Sequence, residues 1–294
     1  MTDDPLLHRI LSQLERLADA TEALCSPRPP APRWDTAIAF RWRKQPTCTW
    51  LEPVRHAATL RLADLHHLDR QKQTLARNTR QFVLGLPSNN ALLWGARGTG
   101  KSSLIKALLN EYHNEGLRLI EVDRTDLVDL ADITGPLYDR PERFIIFCDD
   151  LSFEAGDPSY KALKVVLDGS ISAAGDNVLI YATSNRRHLM PEHMAENLEA
   201  RYDEGELHPG ETTEEKISLS ERFGLWLSFY PFNQDQYLDI VVHWLRAHGI
   251  EPEPGEDSAW RAEALRWALA RGSRSGRIAY QFARDWAGRA GLEV

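Results

Sequence analysis

The sequence predicts an α/β fold: a parallel sheet covered by helices on both faces, followed by a small helical unit. Three observations predict it. Apolar runs at 91–94, 117–122, 144–148, 178–182 and 225–230 alternate with helical stretches such as 159–167, the pattern of strands buried on both faces. The stretch Gly95-Ala96-Arg97-Gly98-Thr99-Gly100-Lys101-Ser102 fits the phosphate-loop spacing G-x-x-x-x-G-K-[ST], with a strand before it and helical periodicity after it. From Asn233 onward strand patterning stops, and amphipathic stretches follow at 234–248, 257–271 and 276–290.

Length and composition bound the rest. A chain of 294 residues is enough for about two domains. Apolar residues make up 43%, which allows a large core, and the net charge of −8 argues against a surface built as a whole for nucleic acid. Cys25, Cys48 and Cys148 lack the spacing of a metal site or a disulfide framework. With no signal peptide in view, they point to a reducing cytoplasm. No apolar run approaches the ~20 residues of a membrane span.

In chain order, Leu7, Ile10, Leu14, Leu17 and Leu24 form a narrow apolar seam over 5–24, a helix that docks on its own domain or on a partner. Pro27-Arg28-Pro29-Pro30-Ala31-Pro32 is a stiff linker. The run 37–43 alternates like a strand, in a neighbourhood holding Trp34, Trp42, Trp50, Arg41, Arg43 and Lys44. Such a group either stacks single-stranded nucleic acid or forms a satellite core with snorkelling arginines, and the second is the commoner pattern. Residues 60–83 read as helix, and Asn89-Asn90 turns into the first strand of the phosphate-loop unit. The expected domains are an N-terminal extension (1–58), a nucleotide-binding domain (59–232) and a helical domain (233–294).

The chemistry follows from residue type and place. Lys101 can reach the β- and γ-phosphates of a nucleotide, and the Ser102 hydroxyl can ligate Mg²⁺. The run 144–148 leads into Asp149-Asp150. The first acid is placed to hold Mg²⁺ through its water shell and the second to polarise an attacking water. Asn185, after the fourth strand, can help orient that water. Arg222 precedes the fifth strand. It is either a surface salt-bridge arginine or one that reaches a neighbouring subunit's phosphates. Arg277 opens the last helix, where it can fold over the nucleotide, with Arg274 as the competitor.

Together these motifs resemble the AAA+ ATPases, in family order across roughly residues 60–290. The resemblance makes Gly95 to Ser102, with Ser103, the Walker A motif and 144–150 the Walker B motif. It makes Asn185 sensor 1, Arg222 the arginine finger and Arg277 sensor 2. Asp64-Leu65-His66-His67-Leu68-Asp69-Arg70-Gln71 resembles the segment that frames adenine, which puts Leu68 against the base. The text looks most like a bacterial family of predicted AAA+ ATP-binding proteins that carries no assigned task. The resemblance implies a P-loop NTPase αβα sandwich with a five-stranded sheet in the order 5-1-4-3-2. It also implies a C-terminal helical lid, and an N-terminal helical extension precedes the sandwich. ATP and Mg²⁺ are the implied ligands, and a nucleotide-dependent homo-oligomer acting on a macromolecule is the implied assembly. Two features depart from the pattern. Asp150 stands where a Glu is usual, one methylene shorter, with Glu154 four residues on. An acidic segment at 187–217 lies between Asn185 and Arg222, and reads as a solvated loop with a docking or gating role as the alternative.

Overall fold

The computed structural model describes residues 9–10, 12–17, 32–153, 157–168, 176–186, 189, 201–203, 206–208, 221–255 and 258–292. Glu154, most of the acidic segment 187–217 and much of the N-terminal stretch 5–24 lie outside them. The strands are β1 (Ala39–Gln45), β2 (Cys48–Pro53), β3 (Ala91–Gly95), β4 (Leu117–Glu121), β5 (Arg143–Cys148), β6 (Val178–Ser184), β7 (Arg201–Asp203), β8 (Glu206–His208) and β9 (Leu225–Phe229). The α-helices are α1 (Asp69–Val83), α2 (Lys101–Tyr112), α3 (Leu130–Thr134), α4 (Pro158–Asp168), α5 (Gln234–Ala247), α6 (Ala259–Ala270) and α7 (Gly276–Ala290).

The main sheet runs β2-β1-β4-β5-β6-β3-β9. The five strands expected from the apolar runs stand in the order expected of them, β9-β3-β6-β5-β4, and pair in parallel. The sheet has seven strands, however, not five. The hairpin β1–β2 covers the edge that β4 would otherwise leave open, with β1 parallel to β4 and Arg41 level with Glu121. Charged residues alternate with apolar ones along β1. That is how an outer strand with one face on the core reads, and it differs from the continuous apolar runs of the inner strands.

Alternate residues of the inner strands feed two cores. Leu93, Leu119, Ile145, Phe147 and Tyr181 face one, with α1, α2 and the C-terminal helices. Leu92, Ile120, Ile146, Ile180 and Ala182 face the other, with α3 and α4. Trp34, Phe40 and Trp42 belong to the second core. The Trp34 ring lies 4.5 Å from Phe40 and 4.9 Å from Phe144. The nearby cations are paired: Arg41 with Glu121 at 2.6 Å, Arg43 with Glu52 at 2.8 Å and Lys44 with Asp129 at 2.8 Å. Trp34 and Trp42 are therefore part of the second core itself, not of a satellite, with the paired charges on its rim.

One helical expectation changes. Residues 60–83 form a 3-10 turn at Leu62–Asp64 and then α1, not one helix. His67, with φ of 60°, breaks the path between them. In the acidic segment, β7 and β8 form an antiparallel ladder that sets Tyr202 opposite Leu207. In the N-terminal helical turns, Ile10 and Leu14 are more than half exposed. At the other end, α5 starts on a reciprocal cap. The Gln236 N–H donates to Asn233 Oδ1 at 2.9 Å, and the Asn233 N–H donates to Gln236 Oε1 at 3.0 Å.

Candidate functional site

The chain turns tightly where β3 gives way to α2, through Gly95, Gly98 and Gly100, all at positive φ. Gly95 has φ of 138°, and a Cβ there would fall 1.9 Å from the Phe229 carbonyl oxygen of β9, so no side chain fits. Gly98 has φ of 76°, and a Cβ there would meet Ser275 Oγ at 2.7 Å. That glycine lets the N-terminus of α7 come down onto the loop, where the Arg277 N–H donates to the Gly98 carbonyl at 3.4 Å. Thr99 Oγ donates to the Ala96 carbonyl at 2.8 Å and closes the loop on itself.

A cleft of about 800 Å³ opens at this loop, within the size range of small-molecule sites. Of the residues singled out in the sequence, Leu68, Arg97, Gly98, Thr99, Gly100, Lys101, Ser102, Ser103, Asp149, Asp150, Asn185 and Arg277 all line it. Gly95 and Ala96 sit beneath, and their carbonyls accept from Lys101 Nζ at 2.7 and 2.8 Å. Arg222 does not line the cleft and is paired with Asp168 at the end of α4. Arg274 does not line it either.

The polar groups of the loop end are knit together. Lys101 is buried and also donates to Asn185 Oδ1 at 3.2 Å. Burial pushes its ammonium below the usual lysine range, and Asp149 and Asp150 oppose that shift. Ser102 Oγ donates to Asp149 Oδ1 at 2.6 Å. Asn185 Nδ2 donates to Asp150 Oδ1, and Arg97 lies 3.5 Å from Asp150 Oδ2. Asp150 has φ of 52°, a left-handed conformation that Asp tolerates better than most residues. A hydroxyl beside a carboxylate suits a hard cation that keeps much of its shell as water and phosphate oxygen, and Ser102 with Asp149 fits Mg²⁺ on that ground.

The far end is apolar and aromatic. Trp244 of α5 and Tyr280 of α7 line it, with ring centroids 4.9 Å apart and nearly perpendicular. His66 lines it too, its ring 4.3 Å from that of His243. Sequence reasoning passed over Trp244 and Tyr280, and took His66 only as part of the segment resembling the adenine frame. The first two read only as members of amphipathic helices, and the packing of α5 on α7, with His243 of α5 against His66, brings them to the cleft. Thr183, also on the cleft, falls in the stretch that ends the fourth strand, where only Asn185 was singled out.

A parallel sheet in this order, a glycine loop after β3 and an acidic pair after β5 define the αβα P-loop fold of the AAA+ type. The family model described as "Protein of unknown function (DUF815)" matches residues 35–290, and the chain belongs to that family. A search of curated proteins returned no match. Among solved structures, the chain is similar to the Aeropyrum pernix Orc1 protein in complex with DNA. The identity is 19% and the TM-score 0.50, over 78% of this chain and 61% of that one. It is also similar to the Thermotoga maritima RuvB Holliday junction branch migration motor, at 16% identity and TM-score 0.47 over 76% and 63% of the two chains. The chain thus spans less than two thirds of the length of either. Among the described residues, no helix is long and apolar enough to cross a membrane.

Proposed function

We propose that the protein binds ATP and hydrolyses it to ADP and phosphate with Mg²⁺. We further propose that it works as a homo-oligomer that uses the cycle to remodel a macromolecular target in the cytoplasm. One observation carries the reading: a single cleft holds a buried lysine, a hydroxyl–carboxylate pair, and a second carboxylate with its own amide partner. Lys101 offers three N–H donors that phosphate oxygens can take over from the Gly95 and Ala96 carbonyls and the Asn185 amide oxygen. Ser102 and Asp149 hold Mg²⁺, which when bound neutralises charge on the phosphate oxygens. Asp150, held by Asn185, orients the water that attacks the γ-phosphorus. The new O–P bond forms as the bond to the leaving ADP oxygen breaks, and the water's proton passes toward Asp150. Arg277 reaches the γ-phosphate from the helical lid, and Leu68, Trp244 and Tyr280 frame the base.

Arg222 serves a neighbour's site in this reading, its guanidinium exchanging Asp168 for phosphate. The macromolecular target is not named by any group in the cleft. Burial of Trp34 and Trp42 removes the feature that favoured a single-stranded nucleic acid.

Asp150 itself favours a second reading, a switch that binds ATP and hydrolyses it slowly. Its carboxylate is short for the place it holds and is engaged by Asn185 and Arg97. Steady-state phosphate release by wild type and Asp150→Asn separates the two. A drop of about 100-fold or more is expected if Asp150 acts on the water. Equal rates would leave the switch.

A further inference from the structure

Thr183 stands near the end of β6, two residues before Asn185, and nothing above uses it. Its side chain is buried. A threonine hydroxyl has one proton to give and lone pairs to receive with, and here both uses are fixed by the partners. Thr183 Oγ donates to Asp149 Oδ1 at 2.5 Å, since a carboxylate can only accept. The Asp150 N–H donates to Thr183 Oγ at 2.9 Å, since an amide can only donate. The Leu151 N–H then donates to the Thr183 carbonyl at 2.6 Å. One residue grips three consecutive ones, just past the point where the β5–β6 ladder ends at Cys148 and Ala182.

Each half of the grip has a consequence. Asp149 Oδ1 accepts from Thr183 on one side and Ser102 on the other, so its carboxylate is oriented from two directions. Asp150 is one of two non-glycine residues with positive φ among the described residues. The bond from its amide to Thr183 holds that turn, and the turn presents the carboxylate to Asn185.

We propose that Thr183 is a positioning residue that sets the metal-facing and the water-facing carboxylates together. The proposal rests on the Mg²⁺·ATP reading of the same cleft. A β-branched residue in a strand is restricted at χ1, so the hydroxyl is presented in one direction. Valine keeps that shape and loses the hydroxyl. Asp149 and Asp150 are exposed, so water can satisfy the groups Thr183 releases.

The test uses the full chain as wild type, Thr183→Val and Thr183→Ser. ATP binding is titrated in EDTA. The Mn²⁺ concentration needed for half-maximal ATP-dependent thermal stabilisation is then measured, with free Mn²⁺ followed by electron paramagnetic resonance. Thr183→Val is expected to bind ATP in EDTA as wild type does and to raise the Mn²⁺ midpoint by about 10-fold or more, the range found for groups that orient metal ligands. Thr183→Ser is expected to restore the wild-type midpoint. A structural role alone would lower the melting temperature and leave the midpoint in place, and that result overturns the proposal. If the valine chain does not fold, Thr183→Ala is read the same way. If neither folds, the hydroxyl is structural and the proposal falls. A wild type that binds ATP neither with nor without metal sinks the nucleotide reading. A wild type that binds it, with Thr183→Val indistinguishable from it, sinks the role of Thr183 alone.

Discussion

The two ends of the cleft are built on opposite terms. At the loop end the polar groups already hold partners within the chain: Lys101 the Gly95 and Ala96 carbonyls, Ser102 and Thr183 the Asp149 carboxylate, Asn185 the Asp150 carboxylate. At the aromatic end, His66 Nε2 and His243 Nε2 are buried with no hydrogen bond. Burial lowers both imidazole pKa values below the usual range. The loop end is a set of aligned donors and acceptors that, on the proposed reading, a phosphate enters by exchange. The other end offers ring surface, and its contribution to binding is area and shape. The two ends should therefore fail differently.

The largest effect is expected at the loop. Lys101→Ala should weaken ATP about 100-fold, because charge-assisted hydrogen bonds of about 1.5–3 kcal/mol are lost. It should weaken inorganic tripolyphosphate just as much, with an unchanged circular dichroism spectrum. Titration of a fluorescent ATP analogue against each competitor checks this, and unchanged binding by a folded variant would sink the phosphate-loop assignment. The same variant tests assembly. Mixed with Arg222→Ala, it should recover part of the lost hydrolysis, since one chain brings the site and the other the arginine. A mixture that co-assembles and stays inactive rules out action in trans.

An intermediate effect is expected at the aromatic wall. Trp244→Ala should weaken ATP about 10-fold, the loss of ~1.4 kcal/mol of ring contact. Tripolyphosphate binding should not change, because on the proposed reading Trp244 meets the base while the phosphates meet the loop and Arg277. Equal weakening of both ligands would mean that the two ends are not separable.

The smallest effect is on pH. His66 is lowered by burial first, then by His243, Lys72 and His67, with Asp239 opposing. His243 is lowered by burial first, with Asp64 opposing and Arg61 adding to the shift. Both imidazoles have a lower pKa in the folded chain than in the unfolded one, so the unfolded chain binds more protons than the native one as pH falls through the ordinary value of 6.5. Stability should rise with pH through that window and be lost below it. Melting temperatures from acid to neutral pH should climb in wild type and climb less in His243→Gln. Parallel curves would mean that the pair contributes nothing.

The difference between the ends is also a difference in legibility. The strand, the glycine turn and the helix of 91–112 lie within one short stretch, and local backbone chemistry requires their order. The acidic pair was legible because a buried apolar strand leads straight into it. Trp244 and Tyr280 gave no such signal, because an aromatic at helical spacing looks the same whether it faces a core or a cleft. The strand β1 was legible, but β2 and the attachment of the hairpin to β4 were not. Alternation tells which face is apolar and not which edge it joins.

By itself the sequence determined the parallel α/β class, the position of the phosphate loop and the types of the groups that flank it. Each of these is written in spacings of a few residues, where sterics and hydrophobic period act directly. The tertiary structure decided that the sheet has seven strands, that Trp34 and Trp42 are core, and that the C-terminal helices close the cleft. It also decided that Thr183 meets Asp149 from 34 residues away. Those facts depend on which strands lie side by side, and that is settled only when both faces of the sheet are buried at once.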